Sequence, residues 1–280
     1  MQAIVTLRAL IAIMSCMVFP AAAQYPYDVP YVPTPAVVIE EMLRLAKVGP
    51  DDSVIDLGSG DGRVVIMAAK KFGARGVGVD LDADLIEESV YNAAQQEVSE
   101  RVTFIRQDLF QFDISQATVV TMYLLPGVVL RLRPRLLKEL RPGTRIVAHD
   151  FPIEDWQPDE KSTVRKNVFM WIVPAQVGGR WRVSATLPTG ERSYDIEIRQ
   201  KYQEIDGLVR LDKRVSGLWN PKLTADRVSF VIVDDNGPVE TNLYFEGRVA
   251  GDTIEGVIKR GVGKDETQIK WRATRVAAGT

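Results

Sequence analysis

Acids set between apolar runs and glycines are the residues of this sequence best suited to chemistry. The stretch Val54-Ile55-Asp56-Leu57-Gly58-Ser59-Gly60-Asp61-Gly62-Arg63 puts Asp56 inside an apolar run and follows it with three glycines in five residues. Glycine lets the backbone turn with φ > 0 and lets a ligand come close to the main chain. The pattern predicts a short buried strand, a glycine turn and a helix over 64–71. A helix start offers free N–H groups to a ligand at the carboxyl end of the strand, so the stretch reads as a nucleotide-type site. The dinucleotide spacing G-x-G-x-x-G is not met, because Gly58 and Gly60 fit but position 63 is Arg63. Two more acids close two further apolar runs. Gly76 to Asp80 predicts the next strand, and the carboxylate of Asp80 can accept both hydroxyl protons of a ribose. Val102 to Asp108 predicts a third strand ending in Asp108. Three acids at three consecutive strand ends point to one ligand held along one sheet edge.

Other chemistries are excluded by what the chain lacks. His149 is the only histidine, and the only cysteine, Cys16, falls in an apolar leader. Without that leader the chain has no disulfide, no thiolate nucleophile and no multi-histidine metal site. The formal net charge of −2 gives no general reason to bind nucleic acid. With 46% hydrophobic and 26% charged residues the chain is globular, and 280 residues suffice for one large domain or two ordinary ones.

The elements that must position these residues follow from the pattern. Residues 1–23 resemble a secretory signal peptide: Arg8, an apolar run from Ala9 to Phe19, and Ala21-x-Ala23 before a cleavage point at Gln24. The expectation is an exported protein, periplasmic or secreted, with an uncleaved membrane anchor as the alternative. Residues 24–52 hold a proline- and tyrosine-rich extended segment and a helix over 37–47, with Thr34 as its N-cap and Val37, Val38, Met42, Leu45 and Ala46 on one face. Over 53–175 strands alternate with helices, which predicts a mostly parallel sheet covered on both faces. Asp82 caps a helix running to about position 97. A fourth strand spans 117–123, a helix interrupted at Pro134 follows with Leu130, Leu132, Leu136, Leu137 and Leu140 inward, and strands span 144–149 and 167–173. From 176 to 280 no helix is predicted. Eight short runs, at 180–187, 193–200, 203–211, 214–219, 226–233, 239–247, 252–259 and 267–274, suggest a small barrel with hairpin turns such as Asn236-Gly237 and Pro188-Thr189-Gly190. Gly179-Arg180-Trp181 resembles the G-x-W opening of lipocalin-like barrels. The barrel reads either as side-chain-filled or as a cup for an apolar ligand.

The D-x-G-x-G arrangement at Asp56 resembles motif I of the class I S-adenosylmethionine-dependent methyltransferases. The segments DVPYVPTP, DLGSGDGR, QDLF, MYLLP and HDFPIEDWQPD together are similar to the mitochondrial seven-β-strand lysine methyltransferases and their bacterial relatives. That resemblance implies an α/β Rossmann-like methyltransferase sheet, S-adenosylmethionine as cofactor and a lysine of a protein as acceptor. It implies a cofactor-binding set of Asp56, Gly58, Gly60, Asp61, Asp80, Leu81, Asp108, Leu109 and Thr34, with Asp56 toward the methionine end and Asp108 toward the adenine amino group. Residues at the ends of the fourth and fifth strands would face the methyl, which gives Tyr123, His149 and Asp150 as catalytic candidates. Asn or Asp followed by two prolines, usual for nucleic-acid amino methylation, is absent after the fourth strand. The leader and the C-terminal β domain depart from the group. Export also separates the enzyme from a cofactor made in the cytoplasm, which keeps a second reading open: a non-catalytic S-adenosylmethionine or nucleoside-binding envelope protein with a partner-binding barrel.

Overall fold

The computed structural model describes residues 31–165, 167–188, 190–211, 214–234, 241–260 and 267–276. The first of its two sheets is built from β1 (Ser53–Leu57), β2 (Arg75–Asp80), β3 (Val102–Arg106), β4 (Val119–Met122), β5 (Arg145–His149), β6 (Glu160–Lys161) and β7 (Val168–Ile172), in the order β3-β2-β1-β4-β5-β7-β6. The β3-β2-β1-β4-β5 strands pair in parallel, and β7 runs antiparallel to β5 and to β6. β1 lies at the centre, flanked by β2 and β4, and its carboxyl end is the point where the strand order reverses, the place where ligands of such sheets bind. Alternate residues of β1 serve opposite faces, as a strand's two-residue period requires. Val54 joins a core with α1 (Ala36–Leu45), α2 (Arg63–Phe72) and α3 (Ala83–Gln95). Ile55 and Leu57 join the opposite core, which contains Leu132 and Leu136 of α4 (Pro126–Glu139) together with Trp156 and Trp171.

Several expectations need correction. The N-cap of α1 is Pro35, which has no side-chain cap bond; Thr34 is turned to His149 instead. Val37 is 57% exposed, and Ile39 and Leu43 take the inward positions beside Val38 and Met42. α4 passes through Pro134 without a break. Pro134 is exposed, while Leu132 and Leu136 anchor the turns on either side in the core and Arg135 bonds the carbonyls of Leu109 and Phe112. Tertiary packing thus outweighs the lost helical bond. α3 ends at Gln95, and the two-residue edge strand β6 is too short to leave a periodic signal. β3 ends at Arg106, two residues before Asp108.

The second sheet holds β8 (Gly179–Leu187), β9 (Gly190–Lys201), β10 (Glu204–Arg210), β11 (Val215–Gly217), β12 (Trp219–Thr224), β13 (Arg227–Asp234), β14 (Thr241–Ala250), β15 (Thr253–Arg260) and β16 (Thr267–Arg275). Its order is β11-β10-β9-β8-β16-β15-β14-β13-β12, all antiparallel, so the first and last strands pair and the sheet curls into a nearly closed barrel. The Leu218 N–H donates to the Gly207 carbonyl at 2.9 Å, continuing the β10–β11 ladder to the point where the chain enters β12. Among the described residues nine strands stand where eight were expected. The run at 214–219 divides into β11 and the start of β12, where Asn220 sits at φ 47° and the register slips between Trp219 and Lys222. Asn236-Gly237 and Thr189 lie outside the described residues. The barrel interior is filled by side chains: Phe230 stacks on Phe245 at 4.9 Å, and Trp271 meets Phe245 edge-on at 5.2 Å. Trp181 and Tyr194 are buried in the same core.

The two sheets meet through the β9–β10 turn. Tyr202 stacks on Trp156 with centroids 5.3 Å apart and donates to Asp155 at 2.8 Å, where Lys201 also pairs at 3.0 Å. The Trp156 indole N–H donates to Gln203 at 2.7 Å.

Candidate active site

A cavity of about 660 Å³ opens at the carboxyl ends of β1, β2 and β4 and beside the loop after β3. Thr34, Asp56, Gly58, Asp61, Asp80, Leu81, Asp108, Leu109 and Tyr123 all line it. Each strand delivers its residue because parallel pairing in register brings the carboxyl ends to one edge.

The glycine loop is held by its neighbours. Gly58, Gly60 and Gly62 take φ of 79°, 53° and 79°. The N–H groups of Gly58 and Ser59 both donate to the Val79 carbonyl, at 2.9 and 3.0 Å. The Gly60 N–H donates to Asp80 Oδ2 at 2.8 Å, and the Asp82 N–H donates to Asp80 Oδ1 at 3.1 Å. A carboxylate has about four lone-pair sites, so Asp80 braces the loop and keeps acceptor capacity for a ligand. From α3, buried Ser89 donates to the Gly60 carbonyl at 2.8 Å and Asn92 donates to that of Asp61 at 3.1 Å. Gly60 has no place in the cavity lining; its contribution is the loop geometry. A Cβ there would lie 2.3 Å from the ring of Tyr31, which lies over the loop.

Asp61 and Arg63 tie the N-terminal segment down. Arg63 forks onto Asp61 at 2.8 and 2.6 Å and donates to the Thr34 carbonyl at 3.1 Å. Burial pushes the Asp61 carboxyl up, but the Arg63 hydrogen bonds and charge outweigh it and hold the carboxyl below its usual range. Asp56 has no such cation. Burial, opposed by a 2.7 Å bond from Thr121 and aided by the charges of Asp80 and Asp61, pushes its pKa up to about 7.

Across the cavity, Tyr123 donates to Asp150 Oδ2 at 3.0 Å, and Asn167 donates to Asp150 Oδ1. Asp150 sits in the left-handed region at φ 63°, held by its N–H bond to the Asn167 carbonyl at 2.7 Å. His149 is 5% exposed, with its ring 4.2 Å from that of Tyr123 and Nδ1 3.3 Å from the Thr34 hydroxyl. Burial lowers its pKa further than Asp150 raises it, so the imidazole is neutral near pH 7. His149 and Asp150 therefore stand behind Tyr123 rather than on the cavity wall.

Ser89, Asn92, Thr121 and Asn167 were not singled out by the sequence. Ser89 and Asn92 are three residues apart and share a helix face, the one local signal available. The pairings of Thr121 with Asp56 and of Asn167 with Asp150 exist only through strand register and carried none.

The strand order, the switch-point cavity and its acids define a class I methyltransferase sheet. A family model described as ANTKMT methyltransferase domain matches residues 56–160, ending before the barrel begins. Over 155 residues the chain is 49% identical to a protein-lysine N-methyltransferase of Saccharolobus islandicus, covering 53% of this chain and 96% of that protein. It is 36% identical over 132 residues to the adenine nucleotide translocase lysine N-methyltransferase of Mus musculus, covering 47% of this chain and 57% of that protein. Among solved structures, an RNA methyltransferase from Salinibacter ruber in complex with S-adenosyl-L-homocysteine matches with TM-score 0.51 and 48% identity, over 52% of this chain and 96% of that one. The chain belongs to the class I S-adenosylmethionine-dependent methyltransferase family, in the group that contains the Saccharolobus lysine methyltransferase.

Proposed function

We propose that this protein binds S-adenosylmethionine in the cavity and transfers its methyl group to the side-chain amine of a protein lysine. The observation that carries the lysine reading is the 49% identity to a protein-lysine N-methyltransferase that the chain covers almost end to end. The residues present fit the cofactor. The loop backbone is bare where a Cβ at Gly58 would lie 2.9 Å from Leu124, and acids line the cavity at the ends of β1 and β2 and after β3. In this reading Asp56 receives the ammonium, Asp80 and Leu81 hold the ribose, and Asp108 and Leu109 hold the adenine. The bound cofactor supplies an activated methyl.

The chain's own part is to seat the amine and remove its proton. A lysine must arrive neutral to attack, and desolvation favours that form. Tyr123 forms the wall on the acceptor side, and Asp150 behind it, gripped by Tyr123 and Asn167, offers the charge that orients an incoming ammonium. Neutral His149, set behind Tyr123, or bulk water takes the amine's proton before attack. The leader at 1–23 adds the proposal that the mature chain works outside the cytoplasm, checked by N-terminal sequencing of fractionated protein for a start at Gln24.

Radiolabelled methyl transfer tests the acceptor. The purified chain, incubated with labelled S-adenosylmethionine and a protein extract, is expected to label protein at lysine. Label appearing in RNA and not in protein overturns the lysine assignment, an outcome given weight by the name of the Salinibacter structure.

A further inference from the structure

Thr121 is opposite Asp56 because β4 pairs in parallel with β1 and the register sets these two residues side by side. Both are buried, at 0% and 4% exposure, and the Thr121 hydroxyl donates to Asp56 Oδ1 at 2.7 Å. Among the described residues no cation pairs with Asp56. Asp80 at the end of β2 and Asp61 in the glycine loop both act on it with like charge. Arg63, the cation of that loop, is clasped by Asp61, and the Arg131 guanidinium on α4 lies 4.0 Å over the Phe110 ring. Beyond β4, His149 is neutral by burial and bonded to Thr34. A carboxylate so placed, 4% exposed on the cavity wall with one hydroxyl donor and two acidic neighbours, keeps part of its proton near neutral pH, and an arriving cation favours its loss.

We propose that Thr121 is a positioning residue for the cofactor: it fixes Asp56 with one oxygen occupied, and Asp56 gives up a proton to solvent when the cofactor's cationic end binds. The proposal rests on the reading that S-adenosylmethionine occupies this cavity. In the step, the O–H bond of the Asp56 carboxyl breaks, the proton passes to buffer and the carboxylate is left facing the ligand's positive charge. Nothing is oxidised or reduced. Burial sets where on the pH scale this happens and Thr121 moves it downward, because among the described residues its hydroxyl is the side-chain donor that stabilises the carboxylate before the ligand arrives.

Titration calorimetry with S-adenosylmethionine, run in two buffers of different ionisation enthalpy, counts the protons released. Wild type is expected to release a substantial fraction of one proton at about pH 6.5; at about pH 8.5, where Asp56 is already ionised and the ligand's α-amine has largely lost its own proton, release gives way to net uptake. Asp56→Asn should release none. Thr121→Val should move the release to higher pH and weaken binding at about pH 6.5 by roughly 10-fold, the scale of a hydrogen bond to a charged group. Thr121→Ser, which keeps the hydroxyl, should restore both. A merely structural Thr121 would lower the melting point without moving the pH of release. If Thr121→Val does not fold, the pH of release in Thr121→Ala takes its place, and the wild-type proton count against Asp56→Asn decides whether Asp56 is the source. Binding without proton release at any pH overturns this proposal and leaves the cavity assignment standing; no binding by wild type overturns both.

Discussion

At the scale of single residues, Tyr123, Asp150 and Asn167 form a closed hydrogen-bonded set with Asp150 in a left-handed backbone conformation. Non-glycine residues held at positive φ carry strain that the surroundings must sustain. Asp150→Asn is expected to leave cofactor affinity within a few-fold and to lower single-turnover methyl transfer, as is His149→Ala; a positioned base contributes ~10²–10⁴-fold. Unchanged transfer with a lowered melting point would return both to bracing roles. Asp56 carries a second prediction, on stability. Its folded pKa is raised from 3.8 to about 7, so in that interval the folded protein holds a proton that the unfolded chain has lost. Stability therefore falls as pH rises through the interval and levels off above it. His149, lowered by burial, gives the opposite slope below its ordinary value of 6.5 in wild type and variant alike. Asp56→Asn is expected to lose less melting temperature than wild type between about pH 5 and about pH 8. Parallel melting curves for the two proteins would contradict it.

At the scale of elements, α3 reaches back to the glycine loop through Ser89 and Asn92 while Asp82 caps its own first turn by accepting from Asp84 and Leu85. The helix is thereby fixed at its start and pinned along its length, and the loop inherits that rigidity. Ser89→Ala leaves the Gly60 carbonyl without its donor, and a buried carbonyl left unmade costs about 1–3 kcal/mol. We expect a lower denaturation midpoint and a fall in cofactor affinity that bound cofactor partly offsets. A variant as stable as wild type would mean that water replaces the hydroxyl. Packing between elements also overrides two local signals. Proline in α4 reads as a stop locally, yet Leu132, Leu136 and the Arg135 bonds hold the helix on both sides of it. Thr34 reads as a cap, yet its hydroxyl is taken by His149.

At the scale of the whole molecule, the barrel reaches the methyltransferase sheet through Tyr202 and Gln203, which cover Trp156 and bond its indole. We propose a boundary within 174–179, so that a 24–175 fragment folds and keeps most of its cofactor affinity. The fragment should melt lower than the full chain, because Trp156 would lose its stacked partner and its acceptor. Aromatic pairs of this kind are worth about 0.5–1.5 kcal/mol beyond buried area. Calorimetric unfolding of fragment and full chain, with cofactor titrations of each, checks this. A fragment without a cooperative transition would make the barrel part of the core and move the boundary.

By itself the sequence determined the alternation of strands and helices, the glycine turn after Asp56, the acids in or just past three consecutive strands and the switch to continuous strands near Gly179. These are local signals: apolar period, glycine where the backbone must turn, and acids at fixed distance from an apolar run. The tertiary structure alone decided that Thr121 faces Asp56, that Asn167 holds Asp150, that Thr34 joins Arg63 to His149 and that a barrel turn covers Trp156. The partners in these contacts lie 17 to 115 positions apart. They are set by strand register and chain crossing, which no local pattern encodes.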